Sequence, residues 1–435
     1  MDLTAAYDTV WHQGLILKLL RTIPDRHLIR FLCVILSNRS FILKTSDGQV
    51  SRPRRLKNDV PQGSVLAPML FNLYISDLPN TTSKQYGYAD DLALLYSHSS
   101  WSTVEQMLSS DMALIAEYLK TWRLKLSTAK TTSTAFHLNT KEARRKLSVN
   151  LNGSPLPYNP TPTYLGVQLD RQLTFKQHLE SLRAKVSSRN NLLRRLAGSS
   201  WGASPSTLRT GALALVYSAA EYAAPAWCRS SHTKKLDTTL NDTLRIITGC
   251  LKPTPTEFLP VLSGITPAPL RREHHTHRLV TKALQDPSHL LHNLASGSPN
   301  LGRQRLPSRR AFSRHSATLS GSNFNALQVW RTSWQQTPRP AQLTISPNTS
   351  LPPGADLSRK NWTTLNRLRT GVGRFNANMH RWGLRPSAAC PCGAEQQSAQ
   401  HILHECPILP PPDNLNLDNP NPATVSWLQR LGDTA

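Results

Sequence analysis

The stretch Gln85-Tyr86-Gly87-Tyr88-Ala89-Asp90-Asp91-Leu92-Ala93-Leu94-Leu95-Tyr96 decides how the rest of the 435-residue chain is read. Aromatic and aliphatic residues on both sides of an acidic centre predict a β-hairpin whose turn lifts two adjacent carboxylates out of an apolar ladder. An Asp-Asp turn also has an ordinary use, because its carboxylates accept backbone N–H groups of the turn itself. Two-metal chemistry asks for more: ions about 4 Å apart need carboxylates from at least two segments that converge in space. Asp2, at the end of a first strand, meets that need together with Asp90, and Asp91 is the natural accessory. Lys130 supplies a proton donor or a charge near a leaving phosphate.

Working outward, Met1 to His12 read as a strand end running into a helix, followed by helical patterns at Leu15–Leu20 and Leu28–Leu36. Phe41 to Val50 bracket an Asp47-Gly48 turn, and a basic loop Arg52-Pro53-Arg54-Arg55 comes next. Pro61-Gln62-Gly63-Ser64 opens an apolar helix, Val65 to Leu78. Free N–H groups at such an N-terminus suit a phosphate or nucleotide, and an ordinary N-cap accounts for Ser64 equally well. Beyond the acids come a long amphipathic helix from Val104 to Leu119, a strand at Thr131–Phe136, alternating Leu147, Val149 and Leu151 before Asn152-Gly153, and a strand at Tyr164–Asp170. The economical fold for residues 1–170 is α+β, an antiparallel sheet backed by helices on one face.

Lys and Arg number 51 against 26 Asp and Glu, a formal charge of +25 that favours a polyanionic partner, most simply nucleic acid. No apolar run reaches the length of a spanning helix. The best, Gly211 to Trp227, is interrupted by Glu221 and Pro225, and the N-terminus lacks a signal-peptide pattern, so no membrane association and an intracellular location are expected. Residues 171–290 read as helical with interleaved cations, 291–356 as a Pro/Ser/Arg-rich disordered linker, 357–407 as a basic Cys/His module and 408–435 as a disordered tail. In the module, Cys390, Cys392, His401 and Cys406 offer three thiolates and an imidazole, a tetrahedral set for structural Zn²⁺, with His404 as an alternative to His401 and reduced, unliganded cysteines as the ordinary alternative. Arg367, Arg369, Arg374, His380 and Arg381 beside it, with Phe375 and Trp382, form a surface for stacked bases and phosphates.

Five motifs in order carry a resemblance: Asp2-Leu-Thr-Ala-Ala-Tyr-Asp8, Pro61-Gln-Gly-Ser64, Tyr88-Ala-Asp-Asp91, Leu126-Ser-Thr-Ala-Lys130 and Tyr164-Leu-Gly-Val167. They resemble the successive palm motifs of reverse transcriptases, and the text from Leu66 to Pro79 is similar to the non-long-terminal-repeat, LINE-like or jockey-like branch. The resemblance implies a right-hand polymerase palm over residues 1–170, a helical thumb-like region over 171–290 and a small C-terminal zinc knuckle. It implies RNA-directed DNA polymerase activity with two Mg²⁺ (or Mn²⁺) on Asp2, Asp90 and Asp91, and a structural Zn²⁺. Tyr7 falls where the family keeps an aromatic beside the incoming sugar; Gln62, Gly63 and Ser64 lie against nucleotide and template, Lys130 near the triphosphate, and Tyr164, Leu165 and Gly166 at the primer grip. The partners implied are an RNA template, a DNA primer and deoxynucleoside triphosphates, within a retroelement ribonucleoprotein of the nucleus or cytoplasm. Two departures stand out: Asp59 replaces a customary Gly, and Met1 immediately precedes the first acid, so that the fingers are read as missing and the chain as N-terminally truncated. The other reading of the same features is a catalytically inactive, basic nucleic-acid-binding remnant.

Overall fold

Three-to-four spacing of Leu15 and Leu19, and of Ile29, Leu32 and Leu36, produces α1 (His12–Thr22) and α2 (Arg26–Leu36). Asp25 caps α2 by accepting from the N–H groups of His27 and Leu28. These helices belong to a unit spanning residues 1–173, the first of two in a computed structural model that describes residues 1–37, 39–198, 200–296, 312, 316, 319 and 323–431. Their apolar faces meet α3 (Ala67–Tyr74) and α4 (Trp101–Thr121) in a core that also takes in Val10, Val60 and Leu124. Lys18 is inside this core, 3% exposed, with its ammonium donating to the Tyr74 carbonyl, the Asp77 carboxylate and the Tyr118 hydroxyl and lying 3.6 Å from the Trp122 ring centroid. Burial pulls its pKa down, and the Asp77 contact offsets part of that cost.

The unit's strands are short. β1 (Ser40–Phe41) pairs with β2 (Arg54–Arg55), β3 (Lys84–Tyr88) with β4 (Asp91–Leu95), β5 (Asn150–Leu151) with β6 (Ser154–Pro155) and β7 (Thr163–Tyr164) with β8 (Val167–Gln168), all antiparallel. The single sheet expected from sequence is thus realised as two-stranded ladders. Isolated bridges Asp2↔Asp91 and Leu3↔Leu126 carry the pairing sideways from β4. Three other expectations need correcting. Thr131–Phe136 contributes only the bridge Ser133↔Tyr158. Helix α3 starts at Ala67, not Val65, because the Ser64 N–H closes a turn onto the Pro61 carbonyl at 3.0 Å with Gly63 at φ 88°. Tyr164–Asp170 folds back on itself, since Leu165 and Gly166, at φ 46° and 76°, form a two-residue turn of the mirror-image kind that matches strand twist.

Leu165 is an unusual occupant of that turn, because a left-handed conformation costs an ordinary L side chain about 1–2 kcal/mol and Asn much less. Leu165→Asn is therefore expected to stabilise the unit by up to about 1 kcal/mol, read as a higher urea midpoint at unchanged slope. A lower midpoint would show that the Leu165 side chain contributes more than its backbone strain costs.

The unit of residues 174–435 is helical. It comprises α5 (Lys176–Leu196), α6 (Pro205–Gly211), α7 (Ser218–Ala220), α8 (Ala224–Trp227), α9 (Thr233–Thr248), α10 (Phe258–Ser263), α11 (Ala268–Gln285) and α12 (His292–Ser296), with a π-helical stretch Ala212–Tyr217 after α6. The apolar run from 211 to 227 is core, not span: Ala212, Val216, Tyr217, Ala220, Ala224 and Trp227 are buried. No helix among the described residues is long and apolar enough to cross a membrane.

Of the segment read as a disordered linker, residues 297–311, 313–315, 317–318 and 320–322 lie outside the described residues, and Arg303, Arg305, Arg309, Arg310 and Arg314 with them. Its remainder differs from expectation. Helix α13 (Ala326–Gln335), capped by Asn325, buries Trp330 and Trp334 in the same core as α5 and α9. Then follow α14 (Arg359–Thr370), α15 (Asn376–Arg381), α16 (Ala399–His404) and α17 (Pro422–Leu431). Helix α17 corrects the expectation of an unfolded tail, because Trp427, Leu428 and Leu431 pack with Leu365, Phe375 and Ile402. Residues 432–435 lie outside the described residues.

Helix α14 is polar in sequence yet buried on every face. Its side chains satisfy the carbonyls that a helix C-terminus leaves without partners. Arg359 donates to the carbonyls of Ile246 and Ile247 at 2.6 and 2.7 Å, Trp362 Nε1 to Ile247 at 3.0 Å, Asn366 to Thr248 at 3.0 Å and Arg367 to Gly249 at 3.3 Å. All of these close the end of α9, where Gly249 takes φ 73°. Arg369, fully buried, donates to the Leu417 carbonyl at 2.6 and 2.9 Å and to Pro353 at 2.9 Å.

Candidate active site and metal centre

The two acids sit where the hairpin predicts. Tyr88 and Asp91 are paired, so Ala89 and Asp90 form the turn, and Ala89 takes φ 51°, a strained conformation of the sort that clusters at functional sites. Asp2 bridges Asp91 directly, which puts both side chains on one face of the ladder. The Met1 nitrogen donates to the Leu92 carbonyl at 2.7 Å and the Ser127 N–H to the Asp2 carbonyl at 2.8 Å, fixing the first strand between β4 and the segment after α4. Lys130 Nζ lies 3.3 Å from Asp2 Oδ2 on a largely exposed side chain. Buried Thr131 accepts from the Asp2 N–H at 3.4 Å. Asp2, Asp91, Lys130, Thr131 and Tyr164 share the wall of a cavity of ≈ 560 Å³.

Charge crowds here. Burial raises the Asp91 pKa, and the neighbouring Asp90 and Asp2 carboxylates push it further the same way, against the chain amine. The Tyr164 phenol is raised by burial and by Asp91, and that of Tyr7 by burial and then by Asp90 and Tyr88. Tyr164 and Asp91 share the cavity wall. Mg²⁺ is held by one or two carboxylates together with substrate phosphates and waters, not by an all-protein cage. Asp2 and Asp91, on adjoining backbone and facing the cavity, fit such an ion when a polyphosphate completes the site, while Asp90, in the turn, is not part of the cavity wall.

Tyr7 stacks on Phe71 with centroids 4.7 Å apart and planes 19° off parallel. Its carbonyl accepts from the Val60 N–H at 2.9 Å, and Gln62 Nε2 donates to Asp8 Oδ1 at 2.8 Å, so the Pro61-Gln62-Gly63-Ser64 loop is tied to the segment that carries Tyr7. Gln62 and Gly63 are exposed. Asp59, at the start of this loop, has φ 109°, a conformation that favours glycine; its carboxylate pairs with Arg39 and its carbonyl lies 2.8 Å from His12 Nε2. Sequence reading gave Asp8 no role beyond closing the first motif, and it missed Phe71 and Thr131. Phe71 was visible only as one more apolar helix position, and nothing marked Thr131 in a run of Ser and Thr.

The Cys/His set assembles around the start of α16. Cys390, Cys392, His401 and Cys406 bring one donor atom each to within 4.8 Å of one another, the only such group of three or more Cys, His, Asp or Glu among the described residues. Cys390 and Cys406 Sγ are 3.8 Å apart, and a tetrahedron with Zn–S bonds of about 2.3 Å has S···S edges of about 3.8 Å. Cys392 Sγ lies 3.2 Å from His401 Nε2, while the other ring nitrogen faces Glu405 Oε2 at 3.3 Å, the carboxylate partner that metal-bound histidines commonly keep. His404 is exposed and outside the set, which leaves His401 as the imidazole. Burial pushes the Cys390 thiol up to about 11, whereas the Ala394 backbone N–H holds Cys392 below its ordinary value. The donors fit zinc in number, kind and spacing.

The basic surface expected beside this centre needs correction. Arg367, Arg369 and Phe375 are buried, the two arginines spent on backbone carbonyls, because a guanidinium with five donors can satisfy several acceptors at once. Arg374, His380 and Arg381 remain exposed, with Trp382 half-buried.

Comparison with known proteins now bears on these sites. Residues 1–169 match the family model described as "Reverse transcriptase (RNA-dependent DNA polymerase)". A Drosophila melanogaster protein of transposon BS is 31% identical over 264 residues, which cover 58% of this chain and 28% of the relative. The "RNA-directed DNA polymerase from mobile element jockey" of Drosophila funebris is 32% identical over 206 residues, 44% of this chain and 22% of the relative. A "Retrovirus-related Pol polyprotein from type-1 retrotransposable element R1 4" of Nasonia vitripennis is 25% identical over 339 residues, 74% of this chain and 83% of the relative. The chain thus spans less than a third of the length of the transposon BS and jockey proteins it matches.

Proposed function

Residues 1–169 being a reverse transcriptase domain of the kind carried by non-long-terminal-repeat retrotransposons, we propose that the chain extends a DNA 3′ end by deoxynucleotides on an RNA template. The observation that supports this most is the Asp2↔Asp91 bridge, which joins the first strand to the acidic hairpin. Asp2, Asp90 and Asp91 would hold two Mg²⁺ (or Mn²⁺), which when bound activate the attacking hydroxyl and stabilise the leaving pyrophosphate. Lys130, exposed beside Asp2, is free to turn toward a triphosphate once cations neutralise that carboxylate. The exposed backbone at Gln62, Gly63 and Ser64 would meet nucleotide and template. Tyr164, Leu165 and Gly166 would hold the primer end, with the strained turn keeping that hairpin narrow. Residues 1–170 then act as palm, 171–290 as a thumb-like region and 357–407 as a zinc knuckle, in a ribonucleoprotein of the nucleus or cytoplasm. Primer extension on an RNA template tests the reading: incorporation with Mg²⁺ that stops with a chelator supports it, and nucleic-acid binding with no incorporation leaves an inactive binding protein.

Tyr7 is the sugar gate in this reading. Its ring stacks on Phe71, which supports the ring that would stand beside the incoming sugar. Tyr7→Val is expected to raise ribonucleotide incorporation relative to deoxynucleotide; unchanged discrimination would remove the role.

Zn²⁺ would be held by Cys390, Cys392, His401 and Cys406. Cys392→Ser is expected to bring bound zinc below one per chain while Cys33→Ser leaves it unchanged, measured by atomic absorption. Equal metal content in both would refute the site.

A further inference from the structure

A cavity of ≈ 670 Å³ is lined by Leu251, Lys252, Pro253, Arg374, Asn376, Met379, Trp382, Leu384 and Arg385; Arg374 and Trp382 come from the basic surface expected from the sequence, and the hollow itself has no part in the proposed reaction. Three cations and a tryptophan share its wall with aliphatic residues, and no carboxylate does. Some cations of this unit are matched by carboxylates, Arg271 with Glu221, Arg272 with Asp237 and Arg245 with Asp242. Among the described residues, the Lys252 ammonium and the Arg374 guanidinium have no ion pair, and Arg385 donates only to the neutral Asn376 Oδ1 at 2.6 Å. Asn376 is itself fixed, with Nδ2 donating to the Ala389 carbonyl at 2.7 Å and its N–H to Gln397 Oε1 at 3.1 Å, so Arg385 is aimed, not loose. Trp382 is half-buried and stacks on no other ring among the described residues. Its backbone N–H donates to the Asn378 carbonyl at 3.0 Å, at the end of α15.

An open ring face, apolar flanks and uncompensated cations around one hollow match the chemistry of single-stranded nucleic acid, where a base stacks and the phosphates on either side are neutralised. We propose that this cavity binds one unpaired nucleotide of a single strand, the base against Trp382 and its phosphates on Lys252, Arg374 and Arg385. A duplex would not serve, since its bases are not available to the ring. The site is separate from nucleotide incorporation and stands or falls without it.

The test is fluorescence anisotropy of the full chain with labelled oligouridylate RNA and, in a second arm, oligothymidylate DNA, across a salt series. Trp382→Ala should weaken binding by about tenfold or more, and Trp382→Phe should keep most of it. Arg374→Ala and Arg385→Ala should each lower the slope of log affinity against log salt by about 0.7. A Trp382→Ala effect confined to RNA would name RNA as the ligand, and an equal effect in both arms would name either strand; both support the pocket. Two outcomes overturn it: unchanged affinity in all of these variants, or loss with the arginine variants and none with Trp382→Ala, which is diffuse attraction to a polyanion. Primer extension by the unaltered chain, run in parallel, keeps the questions apart, because the loss of binding in Trp382→Ala is expected whether or not that chain extends a primer.

Discussion

If the proposed reaction is right, Asp2→Asn and Asp90→Asn are each expected to bring nucleotide incorporation down by more than about 100-fold in primer extension, since changing even an outer-shell partner of a metal ligand costs 10- to 100-fold. The amide keeps the size of the carboxylate, so the hairpin and the Asp2↔Asp91 bridge should persist, and thermal melting should be nearly unchanged. Retained incorporation in Asp90→Asn would place the metal chemistry elsewhere. Asp91 adds a pH signature. Its folded pKa is raised above the ordinary 3.8, so its ionisation disfavours the folded state as pH rises through the window above 3.8. Asp91→Asn lacks that term, and the difference in melting temperature between it and the unaltered chain should grow in the variant's favour across that window. A difference that is flat with pH would contradict the crowding of the three acids.

Arg369→Ala is expected to destabilise the unit of residues 174–435 by about 3–5 kcal/mol, a large share of the 5–15 kcal/mol typical of a folded domain. The guanidinium is fully buried and its hydrogen bonds go to the Leu417 and Pro353 carbonyls and to Asn366 Oδ1. Burial brings its pKa down to about 10, so it remains charged at neutral pH. Truncation leaves those acceptors unpaired and opens a cavity, two costs with the same sign. The exposed Arg374→Ala serves as the control, expected within about 0.5 kcal/mol. Urea denaturation that shows equal midpoints for the two variants would mean that the core around α14 and α17 does not depend on this contact.

The contrast between these two regions marks how far the sequence could be read. The acidic hairpin was legible because its signal is local: a period-two pattern around a two-residue turn. Asp2 was legible as its partner because few other acids near a strand end were available. The Asn152-Gly153 turn was equally plain, whereas Leu165-Gly166 was read as strand because leucine is a poor announcer of positive φ. Helix α14 defeated pattern reading for a different reason. Its face is defined by carbonyls of α9 that lie more than a hundred residues earlier, so its Arg, Asn and Thr side chains look like surface residues until the tertiary structure supplies their acceptors. Helix α17 was hidden by its Pro- and Asn-rich flanks, although Trp427, Leu428 and Leu431 already carried helical spacing. The Cys/His set was readable from residue type and spacing, while the choice between His401 and His404 needed the fold.

The closure of α9 by α14 also bears on how the protein is made. Ile247 and Arg359 are 112 residues apart, and at ~5–20 residues per second a ribosome needs roughly 6–20 s to pass from one to the other. Through that interval the nascent α9 ends in carbonyls that only water can satisfy, and the apolar residues around them wait for a lid not yet synthesised. Translation stalled or terminated before the codon for Arg359 should therefore release a chain that chaperones retain and proteases clear.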